Sequence, residues 1–354
     1  MTHEDLLRHH GDVDAEPGLL DFAVNVRGDH PPRWLFDRLA GALSRIGRYP
    51  SAADDARARE AVAARHGRSP EEILVLAGAS EGFALLPSLR PRLACVVHPS
   101  FTEPEVALRD AGLAVHRVIL EADDGYALRP ELIPELIPEE ADLVVVGNPT
   151  NPTSVLHPAS TLRRLARPGR VLLVDEAFMD AVPGETESLA GDPHVPGLVV
   201  FRSLTKTWAL PGLRAGYAIA EPALLARLAA HRPQWPVGTL VLEAVTACGE
   251  PLAVAEAELA ATELAEHRAH LAAELAALPW VSVHGPAFGP YLLLHVPDGE
   301  RVRAGLRGRG IAVRRCDTFP GLTADHLRVA VRPPDQAAAL LAALRAELTI
   351  GVMP

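Results

Sequence analysis

Lysine is almost absent from this chain. Of its 34 lysine and arginine residues only one, Lys206, is a lysine. Arginine replaces lysine as a surface cation, but it cannot replace an amine that must lose its proton and attack a carbonyl carbon, because guanidinium stays charged. The surviving lysine is therefore a candidate covalent catalyst that forms a Schiff base. The alternative is a surface lysine left by a coding bias toward arginine, and the count alone does not separate the two.

Other absences exclude several classes of protein. The three cysteines, Cys95, Cys248 and Cys316, lie far apart, which excludes a disulfide framework and a cysteine-bound zinc. The 15 histidines include no pair at metal-ligand spacing on an apolar helix, so we expect no metal site. The net charge of -11 comes without the basic stripe that nucleic-acid binding requires. No apolar run approaches about 18 residues and no apolar leader opens the chain, so we expect a cytoplasmic protein that does not cross a membrane.

What the chain does contain is an alternation of short apolar runs and helix-like stretches. The runs cover 73–77, 93–98, 114–119, 142–147, 170–175, 198–202 and 214–220. Several are continuously apolar, as in a sheet that helices cover on both faces. We therefore predict an α/β protein with a mostly parallel seven-stranded sheet, whose ligands bind beyond the carboxyl ends of the strands. After residue 236 a long helical stretch is followed by short strands and helices, which predicts a smaller α+β domain.

Two loops that follow predicted strands have the composition of a binding site. Gly78, Ala79 and Ser80 open a helix and expose backbone N–H groups that suit a phosphate, although an ordinary loop has the same composition. Asn151 lies in a segment with two Asn-Pro pairs, which force an extended or turn conformation. Such a turn can present an amide to a cofactor, or it is only a rigid loop.

Two further strand ends carry charged groups. Asp175 ends a buried run, where a carboxylate needs a cation or a hydrogen bond; a helix N-cap is the alternative. Ser203, Thr205 and Arg214 place two hydroxyls and a guanidinium around Lys206. This set can hold a phosphate beside an amine, whereas Arg214 alone would be an ordinary surface cation.

In this order the motifs resemble those of fold-type I pyridoxal-phosphate enzymes, the aspartate-aminotransferase-like superfamily, over residues 15 to 335. The resemblance implies pyridoxal 5'-phosphate as the cofactor, Lys206 as the amine of its Schiff base and Asp175 as the partner of its pyridine nitrogen. It implies a ring stacked on Phe101, a phenolic oxygen near Asn151, and a phosphate held by Ala79, Ser80, Ser203, Thr205 and Arg214. Tyr49 would reach the phosphate of a neighbouring subunit, so the resemblance also implies a homodimer with shared active sites.

Within the superfamily the chain resembles the branch of histidinol-phosphate aminotransferase and threonine-phosphate decarboxylase. Phe178 stands where the aminotransferase has a tyrosine, and the segments 310–321 and 9–12 resemble those of the decarboxylase. We therefore expect decarboxylation of O-phospho-L-threonine to (R)-1-amino-2-propanol phosphate, for cobalamin biosynthesis. The resemblance implies substrate contacts from four residues, with His9 beside them: His10, Asn25, Arg314 and Arg328.

Two alternatives stay open. One is an aminotransferase of the histidinol-phosphate type with 2-oxoglutarate, because the outcome depends on which Cα bond stands perpendicular to the cofactor ring, and no residue type encodes that. The other is a non-catalytic cofactor-binding regulator, although the roughly 20 residues before the first motif are too few for a DNA-binding helix-turn-helix. The segments 25–31 and 151–154 depart from the family pattern, which leaves the substrate open.

The sequence also predicts how the chain divides. We expect an N-terminal arm over 1–30, a large cofactor-binding domain over 31–235 and a small domain over 236–354. Four arginines of the small domain cluster in sequence and predict a local pocket for a small anion: Arg314, Arg315, Arg328 and Arg332.

Overall fold

The computed structural model describes residues 6–350. Its strands are β1 (Leu20–Phe22), β2 (Ile73–Leu76), β3 (Ala94–His98), β4 (Val115–Ile119), β5 (Leu143–Gly147), β6 (Val171–Asp175), β7 (Leu198–Ser203), β8 (Gly216–Ala220), β9 (Ser282–Val283), β10 (Tyr291–His295), β11 (Ile311–Arg315) and β12 (His326–Ala330). Its α-helices are α1 (Gly11–Asp14), α2 (Arg33–Ala42), α3 (Ala52–His66), α4 (Ala79–Leu85), α5 (Glu103–Asp110), α6 (Ile133–Leu136), α7 (Ala159–Arg163), α8 (Pro222–Leu228), α9 (Thr239–Gly249), α10 (Pro251–Ala276), α11 (Gly299–Gly308) and α12 (Pro334–Ile350).

The larger sheet confirms the predicted α/β class. Its seven strands lie in the order β2-β8-β7-β6-β5-β3-β4. Strands β4, β3, β5, β6 and β7 run parallel, and β8 runs antiparallel to both of its neighbours. The seven predicted runs correspond to these strands to within one or two residues at each end.

Helices cover both faces of this sheet. Along β5, Val144 and Val146 belong to one buried cluster, and Leu143 and Val145 belong to another on the opposite face. Because successive side chains of a strand point to opposite faces, a strand that is buried on both sides must be apolar at every position. This is why the runs are continuous instead of alternating.

The smaller sheet has the order β1-β11-β12-β10-β9 and its own hydrophobic cluster. Strand β1 comes from the N-terminal segment and pairs in parallel with β11. We did not predict β1, because three residues are too few to show a period of two. It forms through its pairing with a strand that lies almost 300 residues later in the chain, Leu20 opposite Ile311.

The long helical stretch after residue 236 is broken at Glu250. Glu250 has an extended backbone, and Pro251 begins α10 without the N–H that a continuous helix would need. Helix α9 packs against α3, and its residues belong to the cluster under the larger sheet, as far as Ala257 of α10. The hydrophobic packing of the large sheet thus continues past the predicted boundary at 235, and the boundaries themselves stay predictions.

The carboxyl ends of the parallel strands meet at one edge of the larger sheet, next to the smaller sheet. Loops that follow β3, β5, β6 and β7 therefore lie side by side, as in other open parallel sheets. Within residues 6–350 we find no helix with the length and hydropathy that crossing a bilayer would require.

Candidate active site

A cavity of about 500 Å³ opens at this edge of the sheet. Every residue that the resemblance implies for cofactor or substrate lines it, except Tyr49 and His9. These residues come from the ends of five strands (β2, β3, β5, β6 and β7), from the segment before β8, from the N-terminal arm and from the smaller sheet. They are His10, Asn25, Ala79, Ser80, Phe101, Asn151, Asp175, Ser203, Thr205, Lys206, Arg214, Arg314 and Arg328.

Lys206 follows β7 and faces the cavity with a partly buried side chain. Burial, together with the neighbouring charges of Arg328 and Arg214, lowers the pKa of its amine to about 8. Its main-chain oxygen accepts a hydrogen bond from the N–H of Arg27 at 2.9 Å, which fixes the loop around the lysine. An amine in this setting is a better nucleophile near neutral pH than a solvated lysine.

Asp175 ends β6 and lines the same cavity. Burial raises the pKa of its carboxyl to about 7, although the N–H of Ala177 donates a hydrogen bond to Oδ1 at 3.1 Å. The charge of Lys206 lowers this pKa, although the two side chains form no ion pair in the described part of the chain. A carboxyl group whose pKa is raised by burial is stabilised in its ionised form by a cation placed in the cavity.

The residues predicted to hold the phosphate lie around the start of α4. Arg214 Nη2 donates to Ser80 Oγ at 2.6 Å, and the Thr205 N–H donates to Ser203 Oγ at 3.3 Å. Gly78 has φ of +79°, and a Cβ on it would lie 2.9 Å from Arg214 Nη2. Only glycine at position 78 leaves room for the guanidinium beside the helix N-terminus.

Phe101 and Asn151 border the space where a cofactor ring would lie. The ring of Phe101 is tilted against Phe83, with centroids 5.7 Å apart. Asn151 Oδ1 accepts a hydrogen bond from Arg328 Nη1, so the amide connects the predicted cofactor end of the cavity with the substrate end.

Two buried arginines form the substrate end. Arg328 donates to Asn151 and to the Ala23 main-chain oxygen, and its Nε is buried without a partner among the described residues. Burial lowers the pKa of Arg328 to about 10, and the charge of Arg314 adds to this effect. Arg314 pairs with Asp14 at 3.3 Å, and burial lowers its pKa as well. Two adjacent cations in a site of low dielectric attract an anionic group strongly.

The N-terminal arm closes the cavity from the other side. His10 lies beside Phe101, with ring centroids 5.4 Å apart, and its Nε2 is 2.5 Å from Glu103 Oε1. Asn25 Oδ1 is buried without a hydrogen-bond partner among the described residues, so it can accept a hydrogen bond from a ligand. His9 does not line the cavity, because its Nε2 faces Asp14 at 3.3 Å.

Three predicted residues lie outside this cavity. Tyr49 is 73% exposed and stacks on Trp235 at 4.2 Å, so its predicted role in a neighbouring subunit stays a prediction. The predicted anion pocket includes only two of its four arginines. Arg315 pairs with Asp317, and Arg332 donates to the main-chain oxygens of residues 21, 24 and 26. Neighbours in sequence on a strand point to opposite faces, which is why Arg314 enters the cavity and Arg315 does not.

The two segments that depart from the family pattern, 25–31 and 151–154, lie in different surroundings. Ser154 Oγ accepts hydrogen bonds from the N–H groups of Phe288 at 3.1 Å and Gly289 at 2.7 Å, so it connects the two parts of the fold and does not face the cavity. The divergent loop after Asn25 lines a second cavity of about 490 Å³. This cavity meets the first one at Asn25, Val26, Phe178 and Lys206.

Sequence reasoning missed several residues of the site. Asp12, Thr102, Glu103 and Phe319 line the cavity although we assigned them no role, even where they lie within the segments 9–12 and 310–321. Glu103 had one usable signal, because it opens a helix directly after the Pro-Ser-Phe-Thr segment that carries Phe101. The other contacts depend on the tertiary position of the arm and of the loop after β11.

The residues present fit pyridoxal phosphate. The cavity offers a reactive amine, a buried carboxylate suited to a protonated ring nitrogen, an aromatic wall and a cup of hydroxyls with a guanidinium. The Gly78 position, where a Cβ would displace Arg214, is consistent with a backbone that approaches a phosphate closely.

Similar proteins correct the predicted reaction. A histidinol-phosphate aminotransferase of Mycobacterium tuberculosis is 52% identical over 92% of this chain and 87% of its own. A threonine-phosphate decarboxylase of Salmonella typhimurium is 34% identical over 95% of this chain and 93% of its own. The prediction of threonine-phosphate decarboxylation was therefore wrong, since the aminotransferase is far more similar.

The structure explains why the motifs around Phe178, Arg314 and His10 did not distinguish the two reactions. Phe178 packs edge to face against Tyr291, with centroids 5.0 Å apart, so an aromatic ring at this position serves the packing beside Arg328. Arg314 and His10 belong to the anion-binding end of the cavity. Such an end is useful to any enzyme with a phosphorylated substrate, whichever Cα bond it breaks.

The fold has a solved counterpart. A histidinol-phosphate aminotransferase from Clostridium acetobutylicum superposes with a TM-score of 0.85 and covers 94% of this chain and 100% of its own, at 24% identity. The family model described as aminotransferase class I and II matches residues 18–344. This chain belongs to the class I and II aminotransferase family, whose cofactor is pyridoxal phosphate.

Proposed function

We propose that this protein is an aminotransferase of the histidinol-phosphate type, which passes an amino group from a small phosphorylated amine to 2-oxoglutarate. One observation carries the proposal: Lys206, with its lowered pKa, shares a cavity with Asp175 and with two buried arginines. The identity of 52% to an aminotransferase of that name supports the choice of substrate class.

The chain's own residues divide the work between the two ends of the cavity. Pyridoxal phosphate, when bound, supplies a carbonyl that condenses with amines and a ring that takes up electron density from the substrate. Asp175 holds a proton on the ring nitrogen, and Ser203, Thr205 and Arg214 hold the phosphate. Lys206 is then free to remove a proton from the substrate Cα and to return it to another carbon, since its amine is neutral above pH of about 8.

The substrate end selects for an anion. Histidinol phosphate carries a phosphate and no carboxylate, so Arg314 and Arg328 would hold its phosphate in the first half-reaction. In the second half-reaction the same cations would hold a carboxylate of the oxo acid. Binding at these fixed groups orients the Cα–H bond toward Lys206, and enclosure by the arm excludes water from the reacting atoms.

The homodimer is part of this proposal. Tyr49 and Trp235 form an exposed aromatic stack, and Phe36, Leu43 and Ile46 are also exposed on the preceding helix and turn. Apolar groups of this size on a surface favour burial against another chain. A second copy placed here would bring Tyr49 toward the cofactor phosphate of its neighbour.

The test is amine transfer by the purified, cofactor-loaded protein. With histidinol phosphate and 2-oxoglutarate we expect glutamate to form in proportion to the oxo acid consumed. The KM for histidinol, which lacks the phosphate, should be about 100-fold higher than the KM for histidinol phosphate, because two charge-assisted contacts are lost. No glutamate with either amine, or equal KM values for both, would contradict the proposal.

A further inference from the structure

His10 and Glu103 form a pair at the wall of the cavity that the proposed mechanism leaves unused. Nε2 of the imidazole lies 2.5 Å from Glu103 Oε1, and the two side chains are 34% and 31% exposed. An ionised carboxylate only accepts hydrogen bonds, so Nε2 is the donor. Within residues 6–350 the structure gives His10 Nδ1 no hydrogen-bond partner, so this nitrogen is available to a ligand in the cavity.

The ring lies at the anion-binding end. Arg314 Nη2 donates to the main-chain oxygen of His9 at 2.6 Å, and a Cβ on Gly11 would lie 3.6 Å from Arg314 Cδ. The guanidinium thus contacts the backbone directly before His10, and the aliphatic part of the Arg314 side chain passes close to Gly11, directly after it. Gly11 is required here, since its Cβ would also lie 2.7 Å from the Ala23 main-chain oxygen.

The Arg314 guanidinium and the His10 imidazole each contact a carboxylate. Arg314 has the carboxylate of Asp14 behind it at 3.3 Å, as His10 has the carboxylate of Glu103. In each case a carboxylate contacts one edge of the group, and the imidazole and the guanidinium both belong to residues that line the cavity. An imidazole placed between a carboxylate and a phosphate has two neighbours that accept, and it therefore carries a proton on both nitrogens.

We propose that Glu103 is a positioning residue that acts through His10: it orients the imidazole so that Nδ1–H binds the phosphate of the substrate beside Arg314. The inference rests on the proposed function only in taking a phosphate-bearing substrate. The second proton of the ring comes from solvent or from the phosphate monoanion as the complex forms.

A merely structural role for Glu103 has to be separated from this one. Helix α5 also holds the N-terminal arm through the Arg8–Asp110 pair at 2.5 Å, and Thr102 Oγ1 donates to the Leu7 main-chain oxygen at 2.6 Å. Asp110 does not line the cavity. D110A therefore removes a contact between the same helix and the same arm without touching the anion site, and it is the matched control for E103A.

The experiment is a double-mutant cycle on the cofactor-loaded protein, with inorganic phosphate as the probe in calorimetric titrations. We expect E103A and H10A each to raise the Kd for phosphate by about tenfold, the value of one hydrogen bond to a charged group. The double variant should lie within about twofold of the single variants, because Glu103 has no effect without the ring. D110A should change Kd by less than about twofold.

Turnover supplies a second readout. In E103A the KM for histidinol phosphate should rise by about tenfold while kcat and the KM for 2-oxoglutarate change by less than about twofold. Effects of H10A and E103A that multiply to about 100-fold would overturn the inference, and so would a D110A variant as weak as E103A. The phosphate titration needs no turnover, so a protein that shows the coupling but transfers no amine would refute the proposed function and leave this inference standing.

Discussion

At the scale of single residues, the sequence was most informative where chemistry allows no substitute. Lys206 was identified by being the only lysine, and the structure places it in the cavity with Asp175. Asp175 and Arg214 were identified because each follows a predicted strand. Asp12 and Glu103 were not assigned to the site, because a carboxylate in an arm or at the start of a helix is ordinary composition until the tertiary structure places it in a cavity.

The lowered pKa of Lys206 gives a prediction about pH. The neutral amine is the nucleophile, so its modification by an amine-reactive reagent in cofactor-free protein should rise with pH, with a midpoint near 8 and a plateau above it. A solvated lysine would have its midpoint near about 10.4. Mass spectrometry of the peptide that contains residue 206 gives the extent of modification.

The same measurement on the R214L variant tests whether a neighbouring positive charge helps to lower the pKa of Lys206. Removal of a neighbouring positive charge favours the protonated amine, so the midpoint should move to higher pH. R33L is the control, because Arg33 is an exposed partner of Asp37 on helix α2. A midpoint near that of a solvated lysine in the unsubstituted protein would contradict the burial argument.

At the scale of elements, the seven apolar runs predicted the strands of the larger sheet. The signal is strongest where a strand is buried on both faces, as β3 and β5 are, and weaker at β4, which is only partly buried. Strand β1 and the packing of α9 under the large sheet were not predictable in the same way. A three-residue strand has no period, and Ala/Leu-rich helices such as α9 and α10 differ little in composition although they pack in different places. The loop geometry at Gly78 could be tested directly.

We expect G78A to weaken cofactor binding. Alanine at φ of +79° is strained, and its Cβ would displace Arg214 Nη2 from a distance of 2.9 Å. The Kd for pyridoxal phosphate should rise by about tenfold or more, the value of a charge-assisted hydrogen bond. G212A in the nearby loop is the control, since nothing lies within 4 Å of its Cβ. Equal affinities in equilibrium dialysis would show that the guanidinium does not depend on the glycine.

The Ser154 link between the two parts of the fold gives a prediction about stability. S154A leaves the buried Gly289 N–H without its acceptor, whereas the Phe288 N–H keeps the Ser154 main-chain oxygen at 2.9 Å. Burial of an unsatisfied amide is unfavourable. The free energy of unfolding in urea should fall by about 2 kcal/mol. S44A should be nearly neutral, because Ser44 is exposed and its hydroxyl donates only to Gly41 O at 3.0 Å. A drop in S154A no larger than that in S44A would contradict the link.

At the scale of the whole molecule, the two sheets meet at a single edge where strand ends, arm and arginines converge. This arrangement followed from the resemblance of the motifs to a known superfamily, and not from the apolar pattern alone. The choice between two reactions of that superfamily did not follow, because residues such as Arg314 and Phe178 serve anion binding and packing in either case. The sequence identity to a histidinol-phosphate aminotransferase, 52% against 34% for a threonine-phosphate decarboxylase, corrected that choice.

Assembly is the prediction at this scale. Light scattering should give twice the chain mass of 37.8 kDa. Y49S/W235S removes the exposed stack and should shift the protein toward the monomer, with weaker cofactor retention. W280S is the control, since Trp280 is 64% exposed elsewhere. A monomeric parent protein that retains its cofactor would contradict the shared site.

The most direct test of the central claim is a single turnover without any oxo acid. The account predicts that cofactor-loaded protein mixed with histidinol phosphate yields one ketone product per active site, moves the absorbance of the cofactor to that of its amine form and releases no carbon dioxide. K206R should give none of this product. Release of carbon dioxide from an amino-acid phosphate without amine transfer, or full product in K206R, would contradict it.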